Sequence, residues 1–442
     1  MQKIIFSTLL TVSLSLLQAQ ETVLPAKEQK GSFYLTNATI HIGNGKVIQN
    51  GTIKVTNGKI EAVGDNIAVP AGADNVTNLK GQDLYPGLIL PSSTLGLIEI
   101  SSVRATQDAR EIGEMNPSVR SIVAYNSDSK VINTLRSNGI LLANVVPQGN
   151  FVAGTSSVVQ LDAWNWEDAA YKTDAGLHVY MPSLLPRPSF GGRGGGFGMG
   201  NFGGQGGDPV KEGLEKMEGL KTFFREAKAY QQLTDRKATN LKFEAVKDLF
   251  EKKQKLYMHA TTAKQILVAL DFVKEFGFDM VIVGGSESYQ VADLLKQHDV
   301  SVILQQPHSL PTAGDDDVDQ PYKTAAQLKK AGVLFSISDD DSQTRGRNLA
   351  FNAGTAAAYG LDKEEALAAI TLNAARIMGV ADKTGSIEVG KDANIVVSSG
   401  DLLDMRNSNV TAAYIQGRKI DLTDKHKLLN DRFEQKYELK AP

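Results

Sequence analysis

Ser92 and Ser93 close the apolar run Leu88-Ile89-Leu90-Pro91. A serine beside a base is a nucleophile. No Gly-x-Ser-x-Gly elbow surrounds this pair, so the setting does not support that chemistry. A second group is Gly314-Asp315-Asp316-Asp317-Val318-Asp319, whose oxygens suit calcium. It lacks the ligand spacing of a calcium hand, and a solvated charge run accounts for it. Gly149 and Gly154 bracket a short segment between strands, where a phosphate loop or a plain turn would fit. Arg345 and Arg347 carry charge suited to an anionic ligand, although exposed arginines usually only solvate. Cysteine is absent. That excludes disulfides, thiolate catalysis, zinc–thiolate sites and an acylated N-terminal cysteine.

The elements that must position such residues are legible from periodicity. Phe33 to Val63 alternate apolar and polar, with turns at Asn44-Gly45 and Asn57-Gly58, which predicts a run of hairpins. Near the other end, Ala393-Asn394-Ile395-Val396-Val397 and Ala413-Tyr414-Ile415-Gln416-Gly417-Arg418-Lys419-Ile420 have the same texture. Neither end has strands enough to bury a core. Together they predict one small β-sandwich with the rest of the chain inserted between.

From Pro86 onward, strands and helices alternate. A helix is expected over 128–138, with strands over 140–146 and 157–161 and helices over 210–234 and 241–253. Then come strand 256–260, helix 264–276, strand 279–283, a helix through Leu294, strand 300–304, a helix over 325–330 and strand 333–337. Alanine-rich helices over 348–359 and 363–378 close the run. Strand then helix at this spacing predicts parallel strands with right-handed crossovers, hence a barrel. Residues 190–207 are more than half glycine and predict a mobile loop, either a lid or docking arm or a tolerated insertion.

The chain has 442 residues and a formal net charge of -3. That is enough for a large barrel plus a smaller domain, and gives no reason to expect nucleic acid as a partner. Met1 to Gln20 reads as a secretory signal, with Lys3 in the charged region, Ile4 to Leu17 apolar, and cleavage after Ala19. No later stretch is apolar and long enough for a membrane span. The expected location is exported, periplasmic or secreted.

The stretch Asp83-Leu84-Tyr85-Pro86-Gly87-Leu88-Ile89-Leu90-Pro91-Ser92-Ser93-Thr94 resembles the first barrel strand of the amidohydrolase superfamily, which reads Pro-Gly-Leu-Ile-Asp-x-His-x-His. Glu365 to Gly379, followed by Gly385-Ser386-Ile387-Glu388-Val389-Gly390-Lys391-Asp392-Ala393-Asn394, resembles the shared end of imidazolonepropionase-like members, whose Gly-Ser-x-Glu-x-Gly-Lys-x-Ala-Asp motif is departed from only at Asn394. The resemblance implies an α/β fold: a (β/α)8 TIM-like barrel with a small β-sandwich built from both chain ends. The implied division is a signal peptide over 1–19, sandwich over 20–85, barrel over 86–384 and sandwich plus tail over 385–442.

The resemblance also implies a chemistry. A metal at the carboxyl ends of the strands lowers the pKa of bound water, and a last-strand carboxylate handles its proton. Carried onto this chain, the two first-strand histidine positions are Ser92 and Thr94. The bridging ligand falls within 176–182, where His178 is the one plausible ligand. His259 stands on the fifth strand, Gly284 holds the sixth-strand histidine position, and Asp339 holds the acid position. Neutral hydroxyls are poor zinc ligands. Two readings follow. In one, the site is degenerate, no cofactor is expected, and the chain is a non-catalytic binding or partner subunit. Its partners are then an unknown small molecule and further chains, as a homo-oligomer or beside an intact amidohydrolase paralogue. In the other, it is a metal-dependent hydrolase of non-peptide carbon–nitrogen bonds, with zinc or another divalent metal in a reduced mononuclear site of His178, His259 and Asp339.

Overall fold

The computed structural model describes residues 23–73, 75–185, 208–235, 238–312, 314–339 and 345–439. The expected signal segment and the glycine-rich stretch 190–207 lie outside the described residues.

The N-terminal part forms β1 (Ser32–His41), β2 (Val47–Thr56), β3 (Lys59–Gly64), β4 (Val76–Asn78) and β5 (Asp83–Pro86). The first three make antiparallel hairpins. Asn57 and Gly58 join β2 to β3 with φ of 48° and 80°, the left-handed pair that a two-residue hairpin turn requires. The barrel strands are β6 (Leu88–Ser93), β7 (Ile140–Val145), β8 (Val152–Gln160), β9 (Ala170–Tyr180), β10 (Lys255–Ala260), β11 (Met280–Gly284), β12 (Ser301–Leu304) and β13 (Phe335–Ile337). The C-terminal part adds β14 (Ile395–Ser398), β15 (Val410–Ile415) and β16 (Arg418–Lys419).

The chain ends build one sheet, in the order β16-β15-β14-β5-β1-β2-β3, with β4 also on β1. Phe33 of β1 stacks on Tyr414 of β15 at 5.4 Å, although two strands lie between theirs in the ladder. The sheet therefore curls over its own core, which includes Leu35, Ile40, Ile53, Ile60 and Ile395. The expected sandwich from both ends is realised as this curled sheet.

The eight barrel strands run in chain order from β6 to β13. Uniformly parallel strands were expected, and β8 departs from this, running antiparallel to both β7 and β9. Six residues separate β7 from β8, and a parallel return needs a crossover of a dozen or more. The chain must therefore reverse there. The ends of the ladder, β6 and β13, meet where the Ser338 hydroxyl donates to the Ser92 carbonyl at 3.1 Å. The expected helix over 363–378 is two helices, Lys363–Ala369 and Leu372–Met378. The expected helix over 241–253 is two single turns, Leu241–Glu244 and Lys247–Phe250.

Two cores flank the barrel wall. Leu256, Met258, Ile282, Val302, Phe335 and Ile337 face the helices, whereas Tyr257, Val281, Val283 and Ile303 form a separate cluster inside with Ile377. The helix Leu372–Met378 closes one end. Its last carbonyls accept from side chains of the wall: Arg376 from Lys255 at 3.2 Å, Ile377 from Tyr257 at 3.3 Å and Met378 from Lys172 at 3.3 Å. Lysines at the negative end of a helix are electrostatically favourable and satisfy carbonyls that the helix leaves open.

Candidate functional site

The chemistry-bearing residues inside the barrel sit on β9 and β10. Side chains alternate along a strand, so His178 and Tyr180 share one face of β9, and Tyr257 and His259 share one face of β10. The parallel register sets Tyr257 beside His178 and His259 beside Tyr180. The order histidine-x-tyrosine on one strand meets tyrosine-x-histidine on the next, and the two histidines fall on a diagonal. His178 stacks on Tyr257 at 4.6 Å, and Tyr180 on His259 at 3.8 Å, each pair within 14° of parallel. Across the diagonal, His178 Nδ1 and His259 Nε2 form a hydrogen bond of 2.9 Å. Tyr180 donates its hydroxyl to the Pro147 carbonyl at 3.0 Å.

Burial governs the charge of this pair. It lowers the His259 pKa to about 3. Burial also holds His178 well below the ordinary histidine value, with the His259 charge adding to the effect. Charging either ring in a low-dielectric interior is costly. Both rings are neutral near neutral pH, and each then has one donor and one acceptor nitrogen. The bond between them uses one nitrogen of each. His178 Nε2 is buried and has no hydrogen-bond partner.

The remaining candidate positions are arranged differently. Ser92 is buried at the β6–β13 junction and lends its carbonyl to Ser338. Ser93 accepts the Leu95 amide at 3.1 Å, and the buried Thr94 hydroxyl has no partner. Gly284 and Gly285 have φ of 102° and 54°. A Cβ at Gly284 would lie 3.2 Å from the Ala260 carbonyl. A histidine there would be strained by its own backbone. Asp339 is buried, accepts from Asn352 Nδ2 at 3.2 Å, and lies 3.8 Å from the Arg345 guanidinium.

The structure thus joins His178 to His259 and holds Asp339 through Asn352 and Arg345. As arranged, this set does not fit a metal ion. Their mutual bond takes up one nitrogen of each imidazole, and among the described residues a third ligand does not join them. Among the described residues, no three His, Asp or Glu side chains form a group that could hold a metal.

Tyr180, Tyr257 and Asn352 were not anticipated from the sequence. The two tyrosines did leave a signal, since each stands two residues from a histidine on a strand. Asn352 left none, because it reaches Asp339 from a separate helix, Leu349–Ala358.

Residues 153–420 match the model of the amidohydrolase family. This chain belongs to the amidohydrolase family. Among curated amidohydrolase relatives, the imidazolonepropionase of Thermoplasma volcanium is 40% identical over 82 residues, which is 18% of this chain and 20% of the relative. That of Flavobacterium johnsoniae is 35% identical over 81 residues, with the same 18% and 20% shares. The chain thus matches about a fifth of the length of these relatives. Among solved structures, an amidohydrolase from Thermotoga maritima superposes with a TM-score of 0.75 at 28% identity, over 88% of this chain and 99% of that one. A molinate hydrolase gives a TM-score of 0.53 at 18% identity, over 90% and 96% of the two chains, a likeness of fold alone.

Proposed function

We propose that this amidohydrolase-family chain is a metal-depleted, non-hydrolytic member that serves as an exported binding or partner subunit. The observation that carries the reading is the direct bond between His178 Nδ1 and His259 Nε2. That bond occupies one nitrogen of each neutral imidazole, so neither ring presents both of its nitrogens to a cation. The other family positions point the same way: Ser92 and Thr94 are hydroxyls, and Gly284 has a backbone unsuited to histidine. Export rests on the composition of Met1 to Gln20. The partner is a second copy or an intact amidohydrolase paralogue, and the ligand is a small molecule.

A second reading is supported by His178 Nε2 and Asp339 Oδ1, both buried without a hydrogen-bond partner. In that reading the chain is a hydrolase of non-peptide carbon–nitrogen bonds with a reduced mononuclear metal site. It requires the bond at His259 Nε2 to give way if that nitrogen is to join His178 Nε2 as a ligand.

Elemental analysis of the full chain after dialysis against trace zinc separates the two. Less than a tenth of a zinc per chain is expected. One tightly held zinc, together with hydrolysis of a hydantoin or lactam, would overturn the partner-subunit reading.

A further inference from the structure

Two turns from opposite ends of the chain meet in the end sheet. Asn57-Gly58 joins β2 to β3 and Gln416-Gly417 joins β15 to β16, with Lys59 and Arg418 next in sequence. Gln416 and Gly417 have φ of 49° and 73°, the same left-handed pair as in the first turn. The glycines let the two backbones touch. A Cβ at Gly58 would lie 2.7 Å from the Gln416 carbonyl oxygen, and one at Gly417 would lie 2.9 Å from the Gly58 Cα. Asn57, Lys59, Gln416 and Arg418 thereby line one cleft of about 480 Å³, within the range of small-molecule sites.

The barrel supplies the other side. Gln160 of β8 pairs with Leu142 near the start of β7, and Asp168 stands just before β9. Both line the cleft, which therefore lies at the amino ends of the barrel strands. From Ala170 there, β9 runs to His178 at the other end, roughly 25 Å at the rise of an extended strand. Ser92, Thr94, His178, His259, Gly284 and Asp339 are not among its lining residues. The cleft is separate from the face at which the family places its chemistry.

The floor is closed by its own bonds. Buried Asp162 accepts from Arg136 at 2.7 Å, from Arg418 at 3.1 Å and from the Ala26 amide at 3.0 Å. Arg418 also donates to the Gln160 carboxamide at 3.1 Å. Around this floor, polar groups are left open. The Glu28 and Asp168 carboxylates and the Gln416 carboxamide make no side-chain hydrogen bond among the described residues. Asn57 accepts the Gly31 amide through Oδ1 and leaves Nδ2 unused. Lys59 donates to Asp392 at 2.7 Å and to the Gly390 carbonyl at 3.5 Å, which leaves one ammonium proton. Beside them stands Trp164, 66% exposed, whereas Trp166 packs on the core.

This mixture selects a ligand. An indole left in water offers a flat apolar face whose burial is favourable. A cation would meet Lys59, and an anion would meet Glu28 and Asp168. A neutral ring with C–H groups on its face and hydroxyls on its rim meets neither objection. Its face covers the indole, and each hydroxyl donates to a carboxylate or accepts from a carboxamide or ammonium. We propose that this cleft binds a neutral saccharide, with one pyranose ring against Trp164. The assignment does not depend on whether the barrel hydrolyses anything.

The test is ligand-observed NMR on the full chain with the methyl glycosides of glucose, galactose and mannose. At least one is expected to bind saturably with a millimolar Kd, as befits a single-ring ligand. Its uronate and its 2-amino counterpart should bind at least fivefold more weakly. Trp164→Ala should abolish binding with an unchanged melting temperature, since the side chain is mostly in water. Asp168→Ala should weaken binding at least fivefold. If Trp164→Ala does not fold, Asp168→Ala alone decides. Absence of saturable binding by all three glycosides, equal binding of a charged counterpart, or parent-like affinity in either folded variant overturns the proposal.

Discussion

Tyr180 lies flat against His259, with ring centroids 3.8 Å apart. That contact seals one face of an imidazole whose Nε2 is already bonded to His178. The result is a histidine kept neutral by its surroundings. Its pKa of about 3 lies below the ordinary 6.5, and burial is the cause. The consequence for stability has a definite sign. As pH falls below 6.5, unfolded chains take up a proton that the folded chain refuses until about 3. Unfolding is then favoured progressively. Urea titrations between pH 6.5 and 5, above most carboxylate titration, should show stability falling with pH. His259→Phe should lessen that slope, with buried His178 keeping its own share. An unchanged slope would mean that His259 is charged in the folded protein.

Asp339→Ala should act on stability and not on a hydrolytic rate. The substitution strands the Asn352 amide, which donates to Asp339 at 3.2 Å within a buried setting. Leaving such a group unpaired costs about 1–3 kcal/mol, read as a lower melting temperature. A panel of amides, lactams, hydantoins and small dipeptides, with zinc and manganese supplied, is expected to show no turnover in the parent. Turnover that Asp339→Ala abolishes at constant melting temperature would make this chain an enzyme.

Gly284→His should not restore a metal ligand. At φ 102° the backbone suits glycine, and the new Cβ would press on the Ala260 carbonyl 3.2 Å away. The expected outcome is a loss of about 1–3 kcal/mol from backbone strain, with no gain of bound zinc by elemental analysis. Stoichiometric zinc in this single variant would show that the loop after β11 readily adopts another path.

Much of this arrangement was readable in advance. The hairpin signals at Asn57-Gly58 and the regular strand–helix alternation from Leu256 onward foretold both the end sheet and most of the barrel. Local periodicity suffices there because each strand buries its own side chains. The reversal at β8 was not foreseen, because an apolar strand reads the same in either direction. The length of the preceding turn decides between them, and the sequence pattern starts the strand at Ser157, whereas it begins at Val152. Of the site, the resemblance singles out His178, His259 and Asp339, which stand on β9, on β10 and just after β13. Their pairing was hidden, since it depends on register between β9 and β10 and on Asn352 from a distant helix.

A second histidine titrates in the opposite sense. His41 of β1 is bonded to Glu364 at 2.6 Å and lies 3.7 Å from Asp83, linking the end sheet to the helix Lys363–Ala369. Burial opposes its charge, but the Asp83 and Glu364 carboxylates outweigh that and raise its pKa to about 9. The folded chain therefore holds this proton more tightly than the unfolded one. The stabilisation is complete below 6.5 and is lost as pH rises through 9. Thermal melts from pH 6 to 10 should fall over that window, and less so in Glu364→Gln. A melting temperature flat across it in the parent would show that the clamp carries no stability.

The ladder in which Asp83 of β5 faces Ser398 of β14 joins the beginning of the chain to its end. During synthesis, β5 must wait for its partner until the whole intervening barrel has been made. Contacts between segments so far apart form slowly, because closing the long loop precedes any reward. The early hairpins can assemble at once, yet the edge of β5 stays open in the interim, and an open edge invites pairing with a wrong strand. Refolding from denaturant should therefore show a late phase in which this edge is covered. The yield of native protein should fall as chain concentration rises during that interval.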